Sequence, residues 1–137
     1  MGDAFGIPPA RVAVASKTGE RIDECFGRAA QYRIYGKRPG GGYRLAETRP
    51  GPAPCRDQWH DPENLARAVE LLSDCGLVLA GRIGPEAMRR LAERGTAGLA
   101  VNGLGVGEAL ERLSRRAAAA GMRKGGQAAE PERRIGR

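Results

Sequence analysis

Gly76-Leu77-Val78-Leu79-Ala80-Gly81 is an apolar run of strand length closed at each end by glycine. A strand whose consecutive residues are all apolar is covered on both faces, as in a parallel sheet packed between helices. The flanking sequence supports that reading. Upstream, Asp61-Pro62 reads as a helix cap followed by proline at the first helical position. Leu65, Ala68, Val69 and Leu72 then recur at helical spacing, which predicts an amphipathic helix over 62–73. Downstream, Gly84-Pro85 opens a second helix with Ala87, Met88 and Leu91 inward, and Gly95 is placed to end it. Ala97 to Val101 is a short strand, and Val106 to Ala120 a final helix facing inward through Val106, Leu110 and Leu113.

The first half reads differently. Arg11 to Ala15 alternates with valines at 12 and 14, Gln31 to Tyr35 alternates large side chains, and Tyr43 to Thr48 resumes as strand. Short connections, one of them the Gly/Pro-rich stretch 36–42, make these three an antiparallel meander. Residues 49–60, with Pro50, Pro52 and Pro54, read as a long connection. The order is βββαβαβα, an α/β fold with one mixed five-stranded sheet and helices on its faces. Ligands of such sheets tend to sit beyond strand carboxyl ends. The loop after the first strand contains Cys25, and the loop before the first helix contains Cys55 and His60.

A length of 137 residues predicts one domain: an irregular leader over 1–10, an α/β domain over 11–120 and a basic disordered tail over 121–137. The net charge is +7, but residues 115–137 carry seven Arg/Lys against two Glu, leaving +2 for the rest. With aromatics at 4% and the charge in a tail, a nucleic-acid surface is not expected. No apolar run approaches a bilayer span and Met1 to Pro9 lacks a signal-peptide pattern, so a cytoplasmic location is expected. Three cysteines without CxxC spacing read as free thiols in a reducing compartment.

Glu24-Cys25-Phe26-Gly27-Arg28 is the first chemical candidate. Gly27 permits close backbone approach, and Arg28 favours the thiolate that binds iron or zinc. Packing against Phe26 is the competing role for Cys25. Cys55-Arg56-Asp-Gln-Trp-His60 is the second, a soft sulfur and the chain's one imidazole in a Cys-x4-His pair. Cys75, at a helix end before the apolar run, reads as packing, and Asp74 as a bonder of nearby backbone amides. Gly103-Leu-Gly-Val-Gly107 superficially resembles a dinucleotide turn but lacks the Lys-Ser/Thr of a phosphate loop and the downstream acid. A Cys25 thiol nucleophile with His60 as base lacks an evident orienting partner.

Three stretches together resemble a known family: Val12-Ala-Val-Ala-Ser16 with Ile22-Asp-Glu-Cys-Phe-Gly-Arg-Ala29, then Leu71-Leu-Ser-Asp-Cys75, then Val78-Leu-Ala-Gly-Arg-Ile-Gly84. The chain resembles the dinitrogenase iron–molybdenum cofactor biosynthesis family, which includes NifX/NafY-type carriers and the C-terminal domain of NifB. The resemblance covers about 11–113 and implies a ribonuclease H-like fold. It also implies non-enzymatic binding and transfer of the iron–molybdenum cofactor, or an iron–sulfur cluster precursor, between cofactor-assembly proteins and apo-nitrogenase. Where the family usually has His-Phe-Gly, this chain has Cys25-Phe26-Gly27. Taken with the residue reading, the expected site comprises Cys25, Phe26, Gly27, Arg28 and Arg56, with Cys25, Cys55 and His60 as metal ligands; Arg28, Arg56 and Arg82, by adjacency to these, would attract an anionic cargo. The alternatives are a regulatory or chaperone-like protein that binds nitrogenase components, a generic iron–sulfur binder outside nitrogen fixation, and a thiol enzyme using Cys25.

Overall fold

The computed structural model describes residues 9–51 and 62–115. Its elements are β1 (Arg11–Val14), β2 (Gln31–Lys37), β3 (Tyr43–Pro50), α1 (Pro62–Leu71), β4 (Leu77–Ala80), α2 (Pro85–Glu93) and β5 (Ala97–Ala100), followed by helix α3 over 106–115. The strands form one mixed sheet in the order β3-β2-β1-β4-β5. β1–β2 and β2–β3 are antiparallel, whereas β1–β4 and β4–β5 are parallel. The meander and the parallel half therefore meet at β1.

Alternation along β1 and β4 explains why both read as unbroken apolar runs. Ala13, Ala15, Val78 and Ala80 enter one core with Ala68 and Val69 of α1, Leu72 just after it, and Ala87 and Leu91 of α2. Val12, Val14, Leu77 and Leu79 enter the other with Val106, Ala109, Leu110 and Leu113 of α3. The two-helix face is lined by small residues. A Cβ on Gly98 would lie 3.0 Å from both Ile83 Cδ1 and Met88 Sδ, so α2 packs directly on the β5 backbone. Fully buried side chains such as Leu72, Leu77 and Leu91 each contribute roughly 1.5–3 kcal/mol.

β2 and β3 are longer than the alternation predicts, reaching Lys37 and Pro50. Pro50 is tolerated because β3 is an edge strand and lacks a second neighbour to receive its missing N–H. A bulge lies between the pairs Ile34–Glu47 and Tyr35–Leu45, leaving Ala46 unmatched. Without it, Tyr43 and Arg49 would share a face. With it, Tyr43 packs on the α3 core, and Arg49 bonds the Leu71 carbonyl at the end of α1. Helix α1 ends two residues before the expected 73: Leu72 N–H is shared between the Ala68 and Val69 carbonyls, a tightened last turn. α2 ends as expected, with Gly95 at φ 83°. Of the leader expected over 1–10, the described Pro9 and Ala10 are tied in: Pro9 accepts from the Tyr43 hydroxyl at 2.7 Å and Ala10 from Lys37 N–H at 2.9 Å. Residues of the final helix beyond 115 and the tail lie outside the described residues.

Candidate functional site

Because β1, β4 and β5 run parallel, their carboxyl ends share one end of the sheet, and the loops that follow them meet there. The loop after β1 is stitched to the loop after β5. Ile22, wholly buried, donates to the Leu104 carbonyl and accepts from Gly103 N–H, while Val106 N–H donates to Glu20. The glycine-rich 103–107 stretch thus spends its Gly103 and Val106 amides on the β1 loop and its Leu104 amide on Val101. Those amides are not free to cradle a phosphate.

The chain next runs alongside the end of β4. Gly81 N–H donates to the Glu24 carbonyl at 2.8 Å, and Phe26 N–H to the Arg82 carbonyl at 2.9 Å. These bonds make Cys25 the parallel bridge partner of Arg82. A reverse turn follows, closed by Arg28 N–H to the Cys25 carbonyl at 3.1 Å, with Gly27 at φ 88°. Positive φ at the third position is what a type II turn requires, which is why glycine stands there. Gly27 N–H donates to the Tyr32 hydroxyl at 3.0 Å. The Phe26 ring, 7% exposed, lies in the core with its centroid 5.9 Å from that of Tyr32. Glu24 accepts from Ala30 N–H at 3.1 Å, closing the loop's far side.

The outcome for the predicted residues is mixed. Cys25 is half-buried, and Arg28 and Arg82 flank it in sequence and pairing, both exposed. Neither arginine forms an ion pair among the described residues, unlike Arg89 and Arg90, which share Glu86. Phe26 is a wedge under the loop. Cys55, Arg56 and His60 lie outside the described residues. The described chain on either side of them is nonetheless anchored at the Cys25 loop. Gly51 N–H donates to the Ala30 carbonyl at 2.8 Å, and Leu65 of α1 lies 3.8 Å from where a Gly27 Cβ would be. Among the described residues no group of three His, Cys, Asp or Glu side chains is arranged to hold a metal ion.

Cys75 is 2% exposed and packs in the core. Burial first, and the nearby Asp74 charge second, push its thiol from 9.0 up to about 12. It stands before β4 whereas Cys25 pairs beyond it, about 20 Å away at strand rise. Asp74 bonds its own backbone amide, in line with expectation, but spends its oxygens mainly on side chains: Arg49 at 2.8 and 2.9 Å and Arg11 at 3.1 Å. The Arg49 hydrogen bonds hold its carboxyl down at about 2.

Tyr32 was not among the expected site residues. Its signal in the sequence is parity, because it shares a face with Ile34 in an alternating strand, and a buried phenol needs a hydrogen-bond partner. Burial raises its hydroxyl to about 12, with the Gly27 bond opposing and Glu24 adding.

The sequence model described as Dinitrogenase iron-molybdenum cofactor matches residues 9–116. The chain belongs to that family. It is 38% identical over 90 residues to the FeMo cofactor biosynthesis protein NifB of Frankia alni, a match spanning 61% of this chain and 17% of that protein. It is also 38% identical over 85 residues to protein NifY of Azotobacter vinelandii, covering 62% of this chain and 33% of NifY. The chain therefore matches a third or less of the length of these two relatives. Its fold is similar to the apo form of the orange protein from Desulfovibrio gigas, with TM-score 0.62 and 23% identity over 79% of this chain and 89% of that one. No helix among the described residues is long and apolar enough to cross a membrane.

Proposed function

We propose that this member of the family is a non-enzymatic cytoplasmic carrier that binds the iron–molybdenum cofactor, or an iron–sulfur precursor, and passes it between cofactor-assembly proteins and apo-nitrogenase. The observation that carries the reading is the Cys25 loop. It offers one half-buried thiol, fixed by backbone bonds at the carboxyl ends of β1 and β4 and flanked by two exposed arginines that form no ion pair among the described residues. A thiol is a competent soft ligand for iron, so the donor chemistry fits this cargo. Exposed guanidinium groups that give up no ion pair among the described residues favour an anionic cargo. A carrier must also release, and few ligands at a solvent-facing loop suit that better than a closed four-ligand cage.

Cys55 and His60 complete the proposed ligand set, with Arg56 as a further cation. Support for their proximity is the anchoring of Gly51 at Ala30 and of Leu65 against Gly27. The strand order β3-β2-β1-β4-β5, with only β2 antiparallel to β1 and β3, supports the ribonuclease H-like assignment.

Anaerobic titration with isolated cofactor, followed by visible absorption and EPR, tests the reading. Wild type should bind stoichiometrically, with Cys25→Ala weakest and Cys55→Ala and His60→Ala each reduced. Binding by all three variants that matches wild type would remove the metal site.

A further inference from the structure

We infer that Tyr32 is a positioning residue for the Cys25 site: its hydroxyl fixes the orientation of the central peptide of the Cys25–Arg28 turn and so sets the backbone surroundings of a thiol whose own residue is held by the sheet. The inference rests on the carrier reading for its cargo, but its structural part stands by itself.

The two common turn types differ by a flip of the central peptide, here Phe26–Gly27. In the type II form, with Gly27 at φ 88°, the Gly27 N–H is not used by the turn's own closing bond, which runs from Arg28 N–H to Cys25. That N–H instead donates to the Tyr32 hydroxyl at 3.0 Å. Tyr32 is wholly buried on β2, inside the sheet, and its ring is wedged against Phe26 at 5.9 Å. The acceptor therefore sits on a rigid element and cannot follow the loop if the peptide flips. Cys25 has its N-terminal side fixed by Glu24 to Gly81 and its C-terminal side by Phe26 to Arg82. The central peptide of the turn is the remaining joint, and Tyr32 holds it.

The phenol oxygen accepts only the Gly27 N–H among the described residues. Tyr32→Phe keeps the ring and the Phe26 contact and removes only that acceptor. The turn then samples both peptide orientations, with a half-buried amide left without its protein acceptor in one of them.

Amide exchange by NMR and alkylation of Cys25 in a Cys55→Ser background test this on the apo protein. In the parent, Gly27 N–H should be protected. In Tyr32→Phe its exchange should accelerate by roughly tenfold or more while Phe26 N–H stays protected, and the Cys25 alkylation rate should change by at least about threefold. Unchanged shielding of Cys75 reports that the core is folded. With isolated cofactor as probe, Tyr32→Phe should bind roughly three- to tenfold more weakly, with an altered EPR line shape. A Gly27 amide that exchanges freely in the parent overturns the inference even if Tyr32→Phe fails to fold. So does a folded Tyr32→Phe protein with unchanged Cys25 alkylation. If the parent binds no cofactor, the carrier reading fails while exchange and alkylation still decide the role of Tyr32.

Discussion

The amide of Phe26 donates to the carbonyl of Arg82 at 2.9 Å, which locks the residue after the candidate ligand onto the second residue beyond β4. One bond thus couples the loop after β1 to the loop after β4. The Cys25 backbone inherits its rigidity from the sheet, although it lies in a segment that sequence alone reads as a loop.

Gly27→Ala should destabilise the protein by about 1–2 kcal/mol, the cost of an L-residue in left-handed backbone. Among the described residues a Cβ there meets only Leu65 Cδ1, at 3.8 Å, so the expected loss is conformational and not steric. Urea unfolding should show a lower midpoint with an unchanged slope.

Gly51→Ala should be the more damaging glycine change. Its Cβ would fall 2.1 Å from the Ala29 carbonyl oxygen, which is backbone and cannot yield locally. Gly81→Ala meets the Asn102 side-chain oxygen at 2.6 Å, the movable end of an exposed residue. Thermal melts should rank Gly51→Ala well below Gly81→Ala. The reverse ranking would mean that the end of β3 is not anchored at Ala29–Ala30.

Asp74 should give the protein an acid-sensitive clamp. The Arg49 hydrogen bonds depress its carboxyl from 3.8 to about 2, so their stabilisation is fully present above pH 4 and is lost as pH falls toward 2. Asp74→Asn should flatten that part of the stability profile. Arg49→Ala should cost about 1–2 kcal/mol at neutral pH, because the same guanidinium also bonds the Leu71 carbonyl at 2.8 Å.

Cys75 should resist alkylation at pH 8 in the native state and react at once on unfolding. Its thiol is raised from 9.0 to about 12, mainly by burial. For a group whose protonated form the fold favours, stability is intact below the unfolded value and falls as pH rises between those limits. Tyr32, raised from 10.0 to about 12, adds a loss of the same sign. Alkaline denaturation should therefore begin near pH 9–10.

Arg28→Glu with Arg82→Glu should leave stability nearly unchanged, since both side chains are exposed and neither has an ion-pair partner among the described residues. Cofactor affinity should fall by roughly tenfold at low salt and converge toward wild type as salt rises. Equal affinity at low salt would remove these arginines from the site.

The parallel half of the fold was legible because Leu77 to Ala80 and Val12 to Ala15 are apolar at every position, and only a sheet covered on both faces buries such runs. The end of β3 was not. Prolines at 50, 52 and 54 argue for a connection, yet an edge position lets Pro50 pair with Gln31. The Ala46 bulge has no local signature, since it exists to turn Tyr43 and Arg49 to opposite faces. At the candidate site, the loop position of Cys25 and the need for glycine at 27 were readable from the Cys-Phe-Gly sequence. Tyr32 at that site, and Asp74 at the far end of β4, had roles that were not readable, because their partners lie in other elements: Gly27 in the loop after β1, and Arg49 on β3.

The most direct test of the carrier reading is protection of Cys25 by its cargo. The protein, with and without isolated cofactor, is alkylated anaerobically and the modified peptides are mapped by mass spectrometry, with buried Cys75 as internal standard. If Cys25 is a ligand, stoichiometric cofactor should suppress its modification by roughly tenfold or more, and release of the cofactor should restore it. Binding of cofactor with Cys25 modified as fast as in the apo protein would contradict the account.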